Sequence, residues 1–182
     1  RTDGFFDITV HSENYTPSTI SGIQLSSEAH TLFFQHSGIN INLSGFLKGY
    51  ALESIRELLQ LYGIEDALVN MGNSSILALG HHPLATGWRI GFEQGFVSNK
   101  GEKQEVLLKN ECLTVSGNDS LERKHIIAPY SGKLIEGKWM VAVVTESGAV
   151  GEILSTAWFA ADTYQQKLLE MEFHPRLILK LC

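Results

Sequence analysis

The stretch NLSGFLKGYALESIRELLQLYG, residues 42–63, carries the clearest helical pattern in the chain. Between Phe46 and Tyr62, apolar residues recur three or four positions apart and form one stripe, which consists of Leu47, Ala51, Ile55, Leu58, Leu59 and Tyr62. Ser44 is a candidate N-cap, and Gly63 is a candidate for the glycine that follows the helix end. Gly49 weakens the first turn by about 1 kcal/mol relative to alanine, which indicates that another group approaches the backbone there.

Short β segments surround this helix and outnumber the helices. Residues Gly4 to Val10 have the pattern of a loop leading into a short strand, and residues 13–22 are rich in turn formers. The predicted strands are Thr31–Gln35, Ile39–Leu43, Ala67–Met71, Ser75–Leu79, Trp88–Phe92, Glu105–Lys109, Cys112–Val115, His125–Ala128, Trp139–Thr145 and Arg176–Lys180. Two further helices are predicted over Ala149–Ala161 and Tyr164–Met171. The pattern favours an α+β fold with a mostly antiparallel sheet, in one domain over residues 1–182.

Composition limits the classes of function. The 182 residues are 43% hydrophobic and carry a formal net charge of −6, which argues against a dominant nucleic-acid surface. No apolar run reaches the roughly 18 residues that a transmembrane helix requires, and no signal peptide pattern is present. Cys112 and Cys182 predict neither a disulfide framework nor a zinc site. Because the chain opens with Arg1 in what resembles the middle of a fold, we expect further residues upstream.

The turn before the long helix could bind a phosphate. A helix start offers unpaired N–H groups and a partial positive charge, which suit an anion. Lys48 lies in the first turn, where it opposes the helix dipole unless an anion lies nearby. A solvated lysine after an ordinary cap is the alternative.

Two further segments combine flexible and polar residues. The sequence Asn70-Met71-Gly72-Asn73-Ser74, between two predicted strands, fits a tight hairpin turn, with or without a role for Asn70 and Ser74 in lining a ligand. His125 follows Ser116 and Gly117 and opens an apolar strand. It is either a core histidine or a general base, because its ordinary pKa near 6.5 suits proton removal from a hydroxyl.

A carboxylate and a hydroxyl share one face of the second predicted helix. Glu152 and Thr156 are four residues apart and would supply two hard oxygen ligands of the kind that magnesium prefers. An exposed glutamate and a threonine bonded to its own helix would give the same spacing. His81 and His82 are adjacent on a loop without a clear third ligand, and we interpret them as surface residues.

Taken in order, these segments resemble the ApbE family. The matching stretches are Phe6–Val10, Asn42–Ala51, Asn70–Gly72, Trp88–Gly91, Ser116–Gly117, His125–Gly132 and Leu154–Ala157. ApbE proteins are FAD:protein FMN transferases with a T-fold-like catalytic domain. They cleave the FAD pyrophosphate and join FMN through a phosphoester to a Thr or Ser of an acceptor flavoprotein. The family favours a periplasmic or membrane-anchored location on the outer face, which no signal in this chain supports.

The resemblance also implies roles for individual residues. The residues that it assigns to FAD are Lys48, Gly49, Asn70, Met71, Gly72, Ser116, Gly117 and His125. Those that it assigns to Mg²⁺ are Glu152, Thr156 and a backbone carbonyl near Gly45. Lys48 and His125 are the implied catalytic residues, and His125 would be the base for the acceptor hydroxyl.

The sequence also departs from the family pattern. Asn42, Ala128 and Glu152 stand where the family usually has Asp, and Asn73 and Ser74 replace a Gly and an Asn. The loss of two carboxylates should weaken Mg²⁺ binding. Two alternatives therefore remain open, namely a relative that binds FAD without transferring FMN and a structural domain that binds no flavin.

Overall fold

The computed structural model describes residues 1–92, 104–118, 120, 122, 124–137 and 139–181, and its centre is a five-stranded antiparallel sheet. A 3-10 turn spans Thr19–Gly22. The strands are β1 (Ile23–Ser26), β2 (Thr31–Phe34), β3 (Ala67–Met71), β4 (Ser75–Leu79), β5 (Trp88–Gly91), β6 (Glu105–Leu108), β7 (Glu111–Asn118), β8 (Ile127–Ala128), β9 (Lys133–Leu134), β10 (Trp139–Thr145) and β11 (Leu177–Leu181). The helices are α1 (Leu47–Leu61), α2 (Gly148–Ala160) and α3 (Thr163–Phe173).

The central sheet has the strand order β11–β10–β7–β4–β3, and every pairing in it is antiparallel. Three separate hairpins, β1–β2, β5–β6 and β8–β9, lie outside it. The α+β prediction with a mostly antiparallel sheet is therefore confirmed.

Both faces of the sheet are covered, which explains its continuous apolar strands. In β4, Ile76 packs into the core shared with β5 and β6, whereas Leu77 packs into the core beneath α1. In β10, Ala142 belongs to the first of these cores, and Val141 packs on the side of α2 and α3. Because side chains alternate along a strand, β4 and β10 each contribute to two cores at once.

Helix α1 forms where the sequence predicts it, but its buried face differs from the predicted stripe. Leu52 is fully buried with Gly49, whereas Leu47, Leu58 and Tyr62 of the predicted stripe are exposed. Apolar residues cover more than one face of this helix, so periodicity alone left the buried face undetermined.

The ends of α1 confirm one capping prediction and correct the other. The N-cap is Phe46, without a side-chain cap bond, so the prediction of Ser44 as the N-cap is wrong. Ser44 lies two residues before this N-cap, and its backbone N–H donates to Asn42 Oδ1 at 2.9 Å. Gly63 has φ +70°, the left-handed conformation expected of a glycine that follows a helix end.

Gly49 permits a close contact between α1 and α2. A Cβ added at Gly49 would lie 2.2 Å from the Gly148 carbonyl oxygen and 2.8 Å from Ala149 N. The group that approaches this part of the backbone is therefore the start of α2. This contact fixes the position of α2 relative to the first turn of α1.

Two predicted strands in the N-terminal third are absent. Residues 4–10 form turns and bends, and Ile39–Leu43 has no regular secondary structure. The backbone N–H of Asn42 donates to Ile8 O at 2.8 Å, and Ile39 packs over Gly22, so local contacts replace strand pairing. Strand β1, which the sequence did not predict, pairs with β2, and all four residues of β2 are exposed to solvent.

The remaining boundaries shift by a few residues. The predicted strand His125–Ala128 is reduced to Ile127–Ala128, and the predicted strand Cys112–Val115 lengthens to Glu111–Asn118. The N-caps of α2 and α3 are Ser147 and Asp162, whose side chains accept hydrogen bonds from backbone N–H groups of the first turn. Within the described residues, no helix is long and apolar enough to cross a bilayer.

Candidate functional site

A cavity of about 910 Å³ opens where β3 and β4 turn beside the starts of α1 and α2. It meets both faces of the sheet, because its lining includes Ser116 on the side of α2 and Val115 on the opposite side. Every residue that the sequence assigned to the site lines this cavity except Gly49 and Met71.

Those two exceptions have structural causes. Gly49 is buried against the start of α2, so its backbone does not face the cavity. Met71 packs with Leu52 on the opposite side of its strand from Asn70. Because successive residues of a strand point to opposite faces, Asn70 and Met71 cannot both line the cavity with their side chains.

The β3–β4 hairpin brings a tight turn to the cavity. Gly72 and Asn73 both have positive φ, +64° and +62°, within the three residues that join the paired residues Met71 and Ser75. Asn70 supports the turn, since its Oδ1 accepts from the Asn73 backbone N–H at 2.9 Å. The turn places Ser74 and Ser75 at the start of β4, opposite α1 and α2.

Lys48 and Glu152 form the charged centre of the site. Lys48 Nζ lies 3.7 Å from Glu152 Oε1 and also donates to Ser74 Oγ. The Ser75 hydroxyl, fully buried, donates to the same Glu152 oxygen. Lys48 keeps 38% of its side chain exposed while Glu152 keeps only 4%, so the carboxylate is held inside and the ammonium lies at the cavity wall.

Burial raises the pKa of the Glu152 carboxyl above its usual value. The Ser75 hydrogen bond and the Lys48 charge act in the opposite direction without cancelling this effect. An ionised Glu152 is therefore poorly stabilised by the protein alone, and a cation in the cavity would favour its charged form.

Thr156 lies one helical turn after Glu152 and also lines the cavity. Its hydroxyl is 3.1 Å from Ser116 Oγ, which in turn is 2.7 Å from Ser155 Oγ. Across the cavity, a Cβ added at Gly45 would lie 3.8 Å from Thr156 Oγ1, so the turn before α1 passes close to this hydroxyl.

These groups fit a hard divalent cation. Glu152, Thr156 and the backbone at Gly45 supply oxygen donors, the type that Mg²⁺ prefers. Within the described part of the chain, no group of three or more His, Cys, Asp or Glu side chains stands together. The raised pKa of Glu152 is a second reason to place a cation beside it.

His125 lines the same cavity and is exposed. It precedes Ile126, which is buried and whose carbonyl accepts from Ile135 N at 2.9 Å. The buried neighbour anchors this segment, so the imidazole lies at the cavity rather than in the core. A proton acceptor at this place could reach a hydroxyl group that enters from solvent.

Sequence reasoning missed an apolar wall of the cavity and one buried residue behind it. The wall includes Ile76, Ile90, Phe92 and Met140, which periodicity identifies only as core. The buried residue is Ser75, whose signal was available, because it is the one polar residue in the otherwise apolar strand SILAL.

Gly117 also lines the cavity, but its conformation has a separate cause. Its φ is +147°, and a Cβ there would lie 2.4 Å from the Trp139 carbonyl oxygen. The close pairing of β7 with β10 therefore requires glycine at this position.

Comparison with known proteins gives a consistent result. The sequence pattern described as the ApbE family matches residues 1–176. FAD:protein FMN transferase from Klebsiella pneumoniae is 25% identical over 137 residues, which are 71% of this chain and 41% of that protein. The Rhodobacter capsulatus protein of the same name is 26% identical over 174 residues, 91% of this chain and 31% of that protein. The chain thus spans less than half the length of these curated relatives.

Solved structures agree on the fold. Flavin transferase ApbE from Vibrio cholerae superposes with a TM-score of 0.74 at 22% identity, covering 88% of this chain and 52% of that one. The apo form of the Pseudomonas stutzeri flavinyl transferase ApbE gives 0.74 at 20% identity, covering 96% and 62%. The match to nearly the whole sequence and the shared fold lead to one conclusion: this chain belongs to the ApbE family.

Proposed function

We propose that this protein transfers FMN from FAD to a hydroxyl group of an acceptor flavoprotein, with Mg²⁺ bound at Glu152 and Thr156. The observation that carries the proposal is one cavity in which a lysine, a buried glutamate and a threonine hydroxyl converge. Lys48 Nζ and Glu152 Oε1 are 3.7 Å apart, and Thr156 follows Glu152 by one helical turn. The names of the curated relatives support the reaction, which is extended here to a chain that spans less than half their length.

The proposed reaction exchanges a phosphoanhydride bond of FAD for a phosphoester bond to the acceptor. The oxygen of an acceptor Thr or Ser attacks the phosphorus on the FMN side of the FAD pyrophosphate. The bond from that phosphorus to the bridging oxygen breaks, and AMP leaves. The hydroxyl proton passes to a base, so the products are the flavinylated protein, AMP and one proton.

Lys48 would neutralise negative charge on the pyrophosphate. Phosphoryl transfer depends mainly on positioning and on charge neutralisation. The ammonium is partly exposed at the cavity wall, and its contacts with Ser74 and Glu152 fix its direction. Bound Mg²⁺ would supply further charge neutralisation, and Glu152, Thr156 and the Gly45 carbonyl would hold it.

His125 would accept the proton from the acceptor hydroxyl. Its exposure at the cavity suits this role, because the acceptor is another protein and must approach from outside. A neutral imidazole offers a ring nitrogen as a proton acceptor, which is what a general base requires.

The apolar wall and the size of the cavity fit the rest of the dinucleotide. About 910 Å³ lies near the upper end of the range for small-molecule sites, as a ligand with two ring systems requires. Ile76, Ile90 and Met140 offer an apolar surface on the face of the sheet away from α2. Such a surface suits a flat ring system.

The test is a transfer assay with two readouts. The complete protein is incubated with FAD, Mg²⁺ and an acceptor flavoprotein that the Vibrio cholerae transferase modifies in a parallel reaction. Flavin fluorescence of the acceptor in a denaturing gel reports covalent transfer, and chromatography reports AMP. We expect both signals, their loss with EDTA, and their loss in Lys48→Met, which keeps most of the side-chain length without the charge.

The possible outcomes separate the alternatives. A protein that retains FAD through gel filtration but yields neither AMP nor a fluorescent acceptor would be a flavin-binding relative without transferase activity. A protein that takes up no FAD would contradict the proposal altogether.

A further inference from the structure

Three hydroxyl groups form a continuous chain behind the proposed cation site. Ser155 Oγ donates to the Glu152 backbone carbonyl at 3.2 Å. Ser116 Oγ lies 2.7 Å from Ser155 Oγ and 3.1 Å from Thr156 Oγ1. The chain therefore runs from the backbone of α2, through β7, and back to α2.

Only one placement of the three protons satisfies all three contacts. A carbonyl oxygen cannot donate, so the Ser155 proton must point to Glu152 O. Ser155 can then only accept from Ser116, which uses the single proton of Ser116. The remaining contact requires Thr156 to donate its own proton to Ser116 Oγ.

This placement determines what Thr156 presents to the cavity. With its proton directed to Ser116, the Thr156 oxygen keeps its lone pairs for a partner on the cavity side. A hydroxyl in that state is an acceptor, which suits a cation and does not suit a hydrogen-bond acceptor such as a phosphate oxygen.

On the basis of the proposed function, we infer that Ser155 and Ser116 are positioning residues that orient the Thr156 hydroxyl toward a bound divalent cation. This assigns Ser116 a role through Thr156, in place of the direct contact with FAD that the family resemblance implies. It also assigns a role to Ser155, which is fully buried and does not line the cavity. Ser155 should therefore influence the cation without touching it.

Groups that orient metal ligands commonly change metal affinity by one order of magnitude or more when they are removed. Without the Ser155 hydroxyl, the Ser116 proton loses its acceptor and can turn to Thr156, where it competes with the cation for a lone pair. We expect the dissociation constant for Mn²⁺ to rise roughly tenfold in Ser155→Ala.

The experiment measures cation binding directly, without catalysis. Mn²⁺ is titrated into the complete protein, and the electron paramagnetic resonance signal of the free ion gives the bound fraction. The variants are Ser155→Ala, Ser116→Ala and Thr156→Val, and thermal unfolding in EDTA verifies that each of them folds.

Thr114→Val is the matched control. Thr114 is also fully buried at the interface of β7 with α2, and its hydroxyl has no hydrogen-bond partner among the described residues. The change therefore removes a buried hydroxyl that does not belong to the chain of Ser155, Ser116 and Thr156. We expect Mn²⁺ to bind Thr114→Val as it binds the unmodified protein. Ser155→Cys keeps most of the side-chain volume and serves as a second variant if Ser155→Ala fails to fold.

The inference is supported if Ser155→Ala and Ser116→Ala weaken Mn²⁺ binding while Thr114→Val does not. Unchanged binding in Ser155→Ala, together with loss in Thr156→Val, would overturn the hydroxyl chain and leave the proposed cation site intact. Absence of Mn²⁺ binding in the unmodified protein would overturn both the hydroxyl chain and the proposed cation site. A failure of the inference can therefore be distinguished from a failure of the proposed function.

Discussion

Replacing Gly49 by alanine tests the contact on which the geometry of the site depends. Helix propensity alone predicts that this change stabilises the protein by about 1 kcal/mol, because alanine is the better helix former. The structure predicts the opposite sign. The new Cβ would lie 2.2 Å from the Gly148 carbonyl oxygen, where ordinary contacts begin at 3.4 Å.

The magnitude follows from the size of this overlap. Helix α2 must move away from α1 by about 1 Å, and extra atoms in a packed interface cost about 1–3 kcal/mol. A contact of 2.2 Å corresponds to the upper end of this range, so subtracting the gain of about 1 kcal/mol in helix propensity leaves a net destabilisation of about 2 kcal/mol. This lowers the melting temperature of a chain of this size by about 4–8 °C. The same movement takes Glu152 away from Lys48, so Mn²⁺ binding should weaken as well.

Thermal and chemical unfolding of Gly49→Ala measure the effect, and Gly148→Ala is the graded comparison. At Gly148 an added Cβ would meet its nearest atom, Gly49 O, at 3.0 Å, so a smaller displacement is sufficient. The destabilisation should therefore be smaller in Gly148→Ala than in Gly49→Ala. A Gly49→Ala variant with a raised melting temperature would refute the packing argument.

Three further outcomes are expected. Glu152→Gln should abolish the stabilisation by Mn²⁺ but leave the melting temperature in EDTA at pH 8 unchanged or higher. The reason is that burial raises the pKa of this carboxyl in the folded protein, so its ionisation costs stability once the pH rises above the pKa of the carboxyl in the unfolded chain. A lower melting temperature in EDTA would contradict this. Burial also raises the pKa of the Cys112 thiol to about 11, so in a Cys182→Ser background the native protein at pH 8 should react with a disulfide reagent at least about 100-fold more slowly than the unfolded protein. Equal reactivity of the native and the unfolded protein would refute the burial of Cys112. The stability that the neutral thiol provides should be lost as pH rises from 9 through 11. His125→Ala should slow flavin transfer by about 10²–10⁴-fold without weakening FAD binding, and normal transfer would exclude His125 as the base.

The local patterns of the sequence predicted most of the elements correctly. Helix α1 and the strands of the central sheet appear at the predicted places, because burial on both faces selects continuous apolar runs and a helix selects spacings of three and four. The strand predicted over Ile39–Leu43 failed for a related reason. An alternating pattern indicates a strand only if it pairs with a neighbouring strand, and Ile39–Leu43 has no such partner among the described residues.

Residue type and spacing in the sequence also identified the main residues of the candidate site. Lys48 in a helical first turn, and an acid and a hydroxyl four residues apart, are local features that can be identified without coordinates. The assignment of Met71 to the site failed because its neighbour Asn70 faces the cavity, and alternation along β3 then directs Met71 into the core.

What the sequence alone determined is the identity of the elements and the chemistry of the side chains they carry. Only the tertiary structure decided that Lys48 and Glu152, 104 positions apart in the chain, meet at 3.7 Å, that Ser75 donates to Glu152, and that the approach to Gly49 comes from α2. The physical reason is the distance along the chain over which each kind of interaction acts. Propensity, capping and alternation act within a few residues, whereas the positions of α1 and α2 depend on close packing against the sheet, which involves distant parts of the chain at once.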